Sequence, residues 1–340
     1  PPFVMSHDGE NLSAAYYHSC NRGKRSIAID FSQPEGAETL RKLVATVDVL
    51  IENFKLGGLK KYGLDYESLK AINPRLVYCS ITGFGQDGPY APRAGYDFII
   101  QAMAGMMSIT GEPGREPQKA GVAISDLFTG LYSVIAIQAA LRHAERTGEG
   151  QHIDMALYDS QISALGNQNL NYLVSGKSPV QMGNAHMNIA PYEVLPVKDG
   201  HIILAVGNDG QFGKFCAVVG LADLPANPDF ATNPARVANR ARLRETIIER
   251  LATFDRDSLL AKLEAAGVPA SPINTIGQMF ADPQTIARGM RLDLDDGHGN
   301  RLPSVRAPMV MSGTPLVYER SSPRLGEHTA EILAELEKAK

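Results

Sequence analysis

The sequence has no tryptophan and only three cysteines, Cys20, Cys79 and Cys216. Without tryptophan the protein has no Trp-based cage or stacking platform. The cysteines are odd in number and far apart, which argues against a disulfide framework and against a cysteine-based zinc site. This cysteine usage is typical of a reducing compartment, so we expect a cytoplasmic protein.

Long hydrophobic runs and a basic surplus are also missing. The longest mostly apolar run covers 98–109, and three small or polar residues interrupt it, so it is too short to span a bilayer. We expect no signal peptide at the start. With 33 basic and 37 acidic residues, the net charge is −4. That balance argues against nucleic acid or a membrane as the main partner.

What is present indicates an α/β protein. The hydrophobic fraction of 44% is that of a globular protein, and 340 residues suggest about two domains. Strand patterns over 26–30, 48–53 and 75–81 alternate with helix patterns over 34–46 and 64–72, which favours a parallel sheet.

The second half of the chain continues with two long helices and then changes character. The pattern predicts helices over 126–146 and 158–174, the first stopped by Gly148. After about Gly183 it predicts a hairpin, with strands over 192–197 and 201–206. Arg-rich helices over 239–254 and 256–266 and a tail helix over 327–340 follow. This segment is a plausible second, α+β domain.

The segment 83–88, GFGQDG, matches G-x-G-x-x-G after a predicted strand. A dinucleotide site needs a helix to begin at that point, but PYAP comes next and does not start a long helix. We therefore interpret the segment as a tight glycine loop near a ligand.

Asp126 stands where a small strand is predicted to end and the long helix to begin. Spacing alone favours a plain helix N-cap. The alternative is a carboxylate at a strand's carboxyl end, which helix amides keep ionised so that it attacks an activated acyl group. Asp154 and Asp159 are interpreted as structural, and Tyr96, taken alone, as a packing residue. The histidines show no metal-ligand spacing.

Several motifs together resemble one family. They are NRGKRSI at 21–27, VLIENF at 49–54, GFGQDGPY at 83–90, GYD at 95–97, ITGEP at 109–113, GVAISD at 121–126, TGEGQ at 147–151, GVP at 267–269 and LGEHT at 325–329. In these the chain resembles the class III CoA-transferases, which include formyl-CoA transferase, carnitine CoA-transferase and the 2-methylacyl-CoA racemases.

The resemblance implies a fold and an assembly. The fold is α/β, with a Rossmann-like large domain built on a parallel sheet, expected over 1–185 and 315–340, and a smaller α+β domain over 186–314. Two copies are expected to interlock into a homodimer. The family opens with a further strand and helix, which we expect to be missing before Pro1.

The resemblance also implies a reaction. Asp126 matches the family nucleophile, which forms a mixed anhydride and then an aspartyl-CoA thioester while CoA moves from an acyl-CoA donor to a carboxylic acid acceptor. Tyr96 matches a tyrosine near the acyl group. No cofactor is expected besides coenzyme A, itself a substrate, and no metal.

Binding residues follow by position. Asn53, Phe54 and Lys61 resemble family CoA contacts. Arg25 belongs to a small basic cluster, which taken alone is more simply explained as solvated surface. By the resemblance, we assign Arg25 to the CoA phosphates. The segment 183–188 matches the loop over the acyl site. Its pattern resembles that of succinyl-CoA-dependent transferases that act on dicarboxylates. Its candidate substrate residues are Gly183, Asn184, His186 and Asn188.

Two alternatives stay open. A racemase of the same family removes and returns an α-proton with a His–Asp pair. Here Tyr96 stands at the histidine position, and a phenol is a poor base near neutral pH. The other alternative is a homologue that binds CoA without turnover.

Overall fold

The computed structural model describes residues 1–338, so positions 339 and 340 of the predicted tail helix lie outside the described residues. The chain divides into two compact units. The first comprises Pro1–Val47, Leu59–Asn73 and the chain from Asn274 onward, and the second comprises Asp48–Gly58 and Pro74–Ile273. These units do not coincide with the predicted domains, whose boundaries stay a prediction.

The strands in the described chain are β1 (Phe3–Met5), β2 (Asn11–Ala14), β3 (Val49–Glu52), β4 (Val77–Thr82), β5 (His152–Ala156), β6 (Tyr192–Val197), β7 (Gly200–Ala205), β8 (Ala270–Ser271), β9 (Arg291–Asp295) and β10 (Arg301–Val305). The helices are α1 (Ala15–Asn21), α2 (Pro34–Val44), α3 (Tyr66–Lys70), α4 (Asp97–Met103), α5 (Met106–Ile109), α6 (Ile124–Thr147), α7 (Leu157–Ala164), α8 (Asn167–Ser175), α9 (Asp209–Val219), α10 (Asn233–Ala238), α11 (Arg240–Leu251), α12 (Arg256–Ala265), α13 (Ile276–Ala281), α14 (Pro283–Ala287) and α15 (Thr329–Lys338). Lys60–Tyr62 and Leu224–Ala226 form short 3-10 helices.

The second unit contains a parallel sheet in the order β3-β4-β5. Val49 pairs with Val77, and Tyr78 pairs with His152. The central strand β4 is almost entirely buried, as expected for a strand of a parallel sheet that is covered on both faces. Helix α6 covers one face, where Ile137 and Ala140 join the core of Val77 and Cys79. The predicted α/β class with a parallel sheet is confirmed.

The same unit holds an antiparallel sheet, β6-β7-β8. The predicted hairpin is confirmed, with Val197 paired to Gly200. Its inward side chains form a large core with α9, α11 and α12, which includes Leu204, Phe215 and Ile247. The Arg-rich helices predicted after the hairpin are confirmed as α11 and α12, and this sheet gives their apolar side chains a partner.

The strand predicted over 26–30 is wrong. No strand covers these residues, because side chains of the chain's last segment take their backbone groups. Nδ1 of His328 accepts the Ser26 N–H at 3.2 Å, and the Thr329 hydroxyl accepts the Ala28 N–H at 3.0 Å. The apolar alternation of this segment thus marks an extended chain rather than a sheet strand.

The helix predicted over 158–174 is two helices, α7 and α8. Gly166 lies between them with φ of 57°, a conformation that no helix contains. The helix predicted from Asp126 begins two residues earlier, at Ile124, and no strand precedes it. Both the N-cap interpretation of Asp126 and the small strand before it are therefore wrong. Gly148 ends α6 in the left-handed conformation, as predicted.

Helix α6 has an unusual distribution of side chains. Its buried stripe consists largely of small or hydroxyl residues, such as Ser125, Thr129 and Ala140, while Leu131 and Ile135 are more than 60% exposed. By length and composition alone it is the one described helix that is apolar enough to cross a membrane, although no run within it stood out in the sequence as long enough to span a bilayer. The cytoplasmic location stays a prediction.

Candidate active site

Asp126 is the third residue of α6, and its side chain is exposed. The first turn of this helix is capped from another helix. Oδ1 of Asp97, the first residue of α4, accepts the Ser125 N–H at 2.8 Å and the Asp126 N–H at 3.4 Å. Within residues 1–338 no group hydrogen-bonds the Asp126 carboxylate, which is therefore available to a substrate.

Buried amides hold this arrangement in place. Gln101 is fully buried; its Nε2 donates to Oδ2 of Asp97 at 2.7 Å and its Oε1 accepts the Ala120 N–H at 2.9 Å. The Ser125 hydroxyl donates to Oε1 of buried Gln161 at 2.7 Å. The backbone that carries Asp126 is thus fixed from both sides.

The electrostatics at this helix start differ from the expectation. Burial raises the pKa of Asp126, and the neighbouring Asp97 carboxylate raises it further. We expected helix amides to stabilise the Asp126 carboxylate, but Oδ1 of Asp97 accepts the N–H groups of Ser125 and Asp126 instead. A carboxylate that the protein stabilises poorly as an anion is the more nucleophilic for it.

The glycine loop lies beside Asp97. A Cβ on Gly83 would lie 2.4 Å from Cα of Gly95, so the two backbones approach as closely as only glycine permits. Tyr96 follows directly and is 75% exposed, which contradicts the packing interpretation. The next helix after the loop is α4, beginning at Asp97, so no helix starts at Gly88 to hold a pyrophosphate. The prediction that no long helix begins directly after the glycine loop is confirmed.

The carboxyl edge of the parallel sheet gathers further candidates. Asn53 follows β3 and donates from Nδ2 to the Ile81 carbonyl of β4 at 2.6 Å. Phe54 comes next, half exposed. In open α/β sheets ligands bind at this edge. The structure thus places Asn53, Phe54 and the glycine loop on one edge.

The predicted loop over 183–188 is anchored at its first residue. Gly183 N–H donates to the Gly111 carbonyl at 2.9 Å, and a Cβ on Gly183 would lie 2.8 Å from Oε2 of Glu112. Gly183 also has a positive φ of 58°, so a larger residue is disfavoured on two counts. Asn184 follows and is exposed.

The rest of the loop is held by its own residues and by the sheet. The backbone N–H of His186 donates to the Tyr192 carbonyl at 2.9 Å, and the centres of the two rings lie 5.2 Å apart. Nδ1 of His186 accepts the Asn188 N–H at 3.1 Å. Because one nitrogen of the His186 ring is used locally, only Nε2 remains for a substrate.

Arg25 and Lys61 belong to the first unit. Arg25 pairs with Glu331 at 2.7 Å and with Glu335 at 2.8 Å, and the Lys61 ammonium lies 4.6 Å from the Tyr62 ring centre. Their assignment to CoA, like the roles of the other predicted site residues, stays a prediction.

Sequence reasoning missed the roles of Asp97 and Gln101. The signal was there, because an Asp and a Gln four residues apart face the same side of a helix and pair. Among residues 1–338, no group of three His, Cys, Asp or Glu side chains is placed to hold a metal ion.

With this geometry in view, comparison with known proteins shows the family. The family model of CoA-transferase family III matches residues 4–329. The succinate–glutarate CoA-transferase of Agrobacterium fabrum is 61% identical over 337 residues, which cover 99% of this chain and 84% of that protein. The chain belongs to CoA-transferase family III.

Other family III CoA-transferases match over nearly the same length. The human succinyl-CoA:glutarate CoA-transferase is 39% identical over 337 residues, 99% of this chain and 75% of that protein. A crystal structure of a CAIB/BAIF family protein from Brucella suis aligns with a TM-score of 0.87 at 61% identity, covering 99% of this chain and 87% of that chain. This chain is therefore an enzyme of the CoA-transferase class.

Proposed function

We propose that this protein transfers CoA from succinyl-CoA to a small dicarboxylic acid, with Asp126 as the covalent nucleophile. The observation that carries the proposal is the start of α6, where the capping function is taken over by Asp97. The Asp126 carboxylate thereby keeps its oxygens for a substrate, at a position that matches the family nucleophile.

The first half of the reaction consumes the donor. An oxygen of Asp126 attacks the thioester carbonyl, the C–S bond breaks, and CoA leaves as thiolate from a mixed anhydride. The thiolate then attacks the aspartyl carbonyl, and the donor acid leaves as carboxylate. An aspartyl-CoA thioester remains, in which the activation of the donor is preserved.

The second half runs the same chemistry toward the acceptor. The acceptor carboxylate attacks the aspartyl-CoA carbonyl, which expels CoA thiolate and forms a new mixed anhydride. The thiolate attacks the acceptor carbonyl, so that acceptor-CoA forms and Asp126 returns as carboxylate. No water and no net proton are consumed. Each tetrahedral oxyanion calls for nearby N–H donors.

The choice of substrates rests on relatives and on the loop. The relatives from Agrobacterium fabrum and human are named for succinate or succinyl-CoA together with glutarate. High identity to the first relative extends across the whole chain. We assign Tyr96 to the acyl group and Gly183, Asn184, His186 and Asn188 to the substrate. Asn53, Phe54, Lys61 and Arg25 are assigned to CoA.

The exposed face of α6 supports a homodimer. Leu127, Leu131, Val134 and Ile135 recur at helical spacing on this face, each more than half exposed. A contiguous apolar face of this kind marks an interaction surface. The interlocked homodimer of the family would cover it with a second copy, and sedimentation at twice 36.7 kDa is the expected result.

Trapping with hydroxylamine tests the covalent step. Hydroxylamine converts an activated aspartyl carbonyl into a stable hydroxamate, which peptide mass spectrometry locates. After incubation with succinyl-CoA we expect the hydroxamate on the Asp126 peptide of the wild type and of Asp159→Ala, and none in Asp126→Ala. With glutarate added to the same mixture, glutaryl-CoA formation by enzyme that remains unmodified would exclude the covalent route. Exchange of an α-proton without CoA transfer would instead favour the racemase alternative.

A further inference from the structure

The second unit contains a cavity of about 690 Å³. It lies among α8, the chain over 177–187 and the start of α11. Its walls are largely apolar, with Leu170, Val180 and Met187 among them, and two cations, Lys177 and Arg240, reach it. The described residues that line it include no carboxylate. A cavity of this size holds a small organic molecule.

Arg240 is held at this cavity by one hydrogen bond, but part of its guanidinium has no hydrogen-bond partner. Its Nη2 donates to the Met187 carbonyl at 3.1 Å. Its Nη1 is buried and has no hydrogen-bond partner among residues 1–338. A buried donor without an acceptor costs free energy, so an acceptor supplied by a ligand would be strongly favoured.

No side chain in the described chain neutralises Arg240. The one carboxylate that raises the pKa of Arg240, buried Glu193, accepts a hydrogen bond from Nε of Arg244 at 2.6 Å instead. Burial lowers the pKa of Arg240, and Glu193 only partly opposes this. An anion at the cavity would offset the cost of keeping this guanidinium out of water.

The dipole of helix α11 does not stabilise the charge of Arg240. Arg240 is the first residue of α11, where the positive end of the helix dipole disfavours a cation. By contrast Arg242, on the same turn, is exposed and paired with Asp229. The dipole of α11 therefore does not account for this cation, whose one hydrogen-bond partner among residues 1–338 is the Met187 carbonyl.

We propose that this cavity binds a carboxylate of the short aliphatic dicarboxylate substrate, with Arg240 as its principal partner and Lys177 adding positive charge. The identity of the ligand rests on the proposed function. The planar guanidinium matches a carboxylate in a bidentate manner, and the apolar walls accept the methylene chain. Through Met187, Arg240 is hydrogen-bonded to the loop that carries His186 and Asn188. Arg240 is therefore a specificity residue for dicarboxylates over monocarboxylates.

Titration calorimetry and kinetics test this proposal on the full chain. Glutarate is the probe, with pentanoate and 1,5-pentanediol as isosteric ligands that lack one or both carboxylates. We expect glutarate to bind the wild type with CoA present, and pentanediol not to bind. Arg240→Gln should weaken glutarate binding and raise its KM at least about tenfold, the usual effect of losing one charged contact. The KM for succinyl-CoA should stay within about twofold.

Three variants separate charge from loop structure. Arg242→Gln, the matched control, should behave as wild type. Arg240→Lys keeps the charge and a donor for Met187, and should recover part of the affinity. Lys177→Gln leaves the Met187 contact intact and should weaken glutarate by a smaller factor.

Two results would overturn the proposal. One is Kd and KM for glutarate that are unchanged in Arg240→Gln, and the other is equal affinity for glutarate and pentanediol. Either result, in a wild type that transfers CoA, leaves the proposed function standing. Conversely, Arg240-dependent glutarate binding in a protein without transferase activity would reject the proposed function alone.

Discussion

Two aspartates occupy the same position on different helices. Asp126 is the third residue of α6, and Asp159 is the third residue of α7. Both are exposed on one side, and the partial loss of solvent around the carboxyl is the largest cause that raises the pKa of each. By every local criterion the two are equivalent.

Their surroundings separate them. Helix α7 follows strand β5 directly, and its first turn is tied to the sheet, where Tyr158 N–H donates to the Gly83 carbonyl at 3.1 Å. Helix α6 starts from a loop and receives its cap from Asp97 of α4. Beyond burial, Asp97 raises the pKa of Asp126, whereas Asp154 and Asp87 raise the pKa of Asp159. The position in the helix therefore does not distinguish the two carboxylates, whereas the hydrogen bond from Ser125 N–H to Asp97 distinguishes the start of α6 from that of α7.

The largest expected effect is on turnover. Asp126→Ala should lose roughly 10³-fold or more in the rate of glutaryl-CoA formation, as expected when a covalent nucleophile is removed. Asp159→Ala should stay within about tenfold, because the proposed mechanism gives Asp159 no covalent role and its side chain is exposed. Chromatography of CoA esters measures both. Equal losses in the two variants would remove the functional distinction between the two helix starts.

The second expected effect is on the pH dependence of activity, and it tests the role of Asp97 as the cap of α6. In the proposed mechanism only ionised Asp126 attacks, so activity should rise with pH through its pKa, and the acid limb of the profile should lie above the ordinary aspartate value of 3.8. Asp97→Asn removes a neighbouring negative charge and should shift that limb to lower pH. It should also slow kcat by roughly 10–100-fold, because the nucleophile is less well positioned.

Asp87→Asn is the matched control for this experiment, since Asp87 raises the pKa of Asp159 rather than that of Asp126. Its acid limb should coincide with that of the wild type. An acid limb of the pH–activity profile that does not shift in Asp97→Asn would show that Asp97 does not influence the ionisation of Asp126.

The smallest effect is on stability. A raised pKa in the folded state favours the protonated carboxyl, so its stabilising contribution is present below the unfolded pKa and is lost as pH rises through the folded pKa. At neutral pH, Asp126→Asn and Asp159→Asn should each raise Tm by roughly 1–2 °C, a small change because both side chains are solvated. The gain should vanish as pH falls below 3.8. A lower Tm at neutral pH would mean that the ionised carboxylate stabilises the fold.

Elements with a strong apolar period were predicted well. The parallel strands β3 and β4, helix α2 and the β6–β7 hairpin lie close to their predicted bounds, because burial selects their side chains directly. The misplaced elements depend on partners far along the chain. The strand predicted over 26–30 fails because His328 and Thr329, some 300 residues away, satisfy its backbone.

By itself, the sequence determined the α/β class, the family and the identity of Asp126 as the candidate nucleophile, since these depend on periodicity and on motifs contiguous in the chain. Tertiary structure decided what those residues meet. Asp97 lies 29 residues before Asp126, and the unsatisfied guanidinium of Arg240 faces a loop 53 residues earlier. The capping of α6 by Asp97 and the burial of an unpaired Arg240 arise only when such distant segments pack together. A pattern of neighbouring residues in the sequence therefore does not predict them.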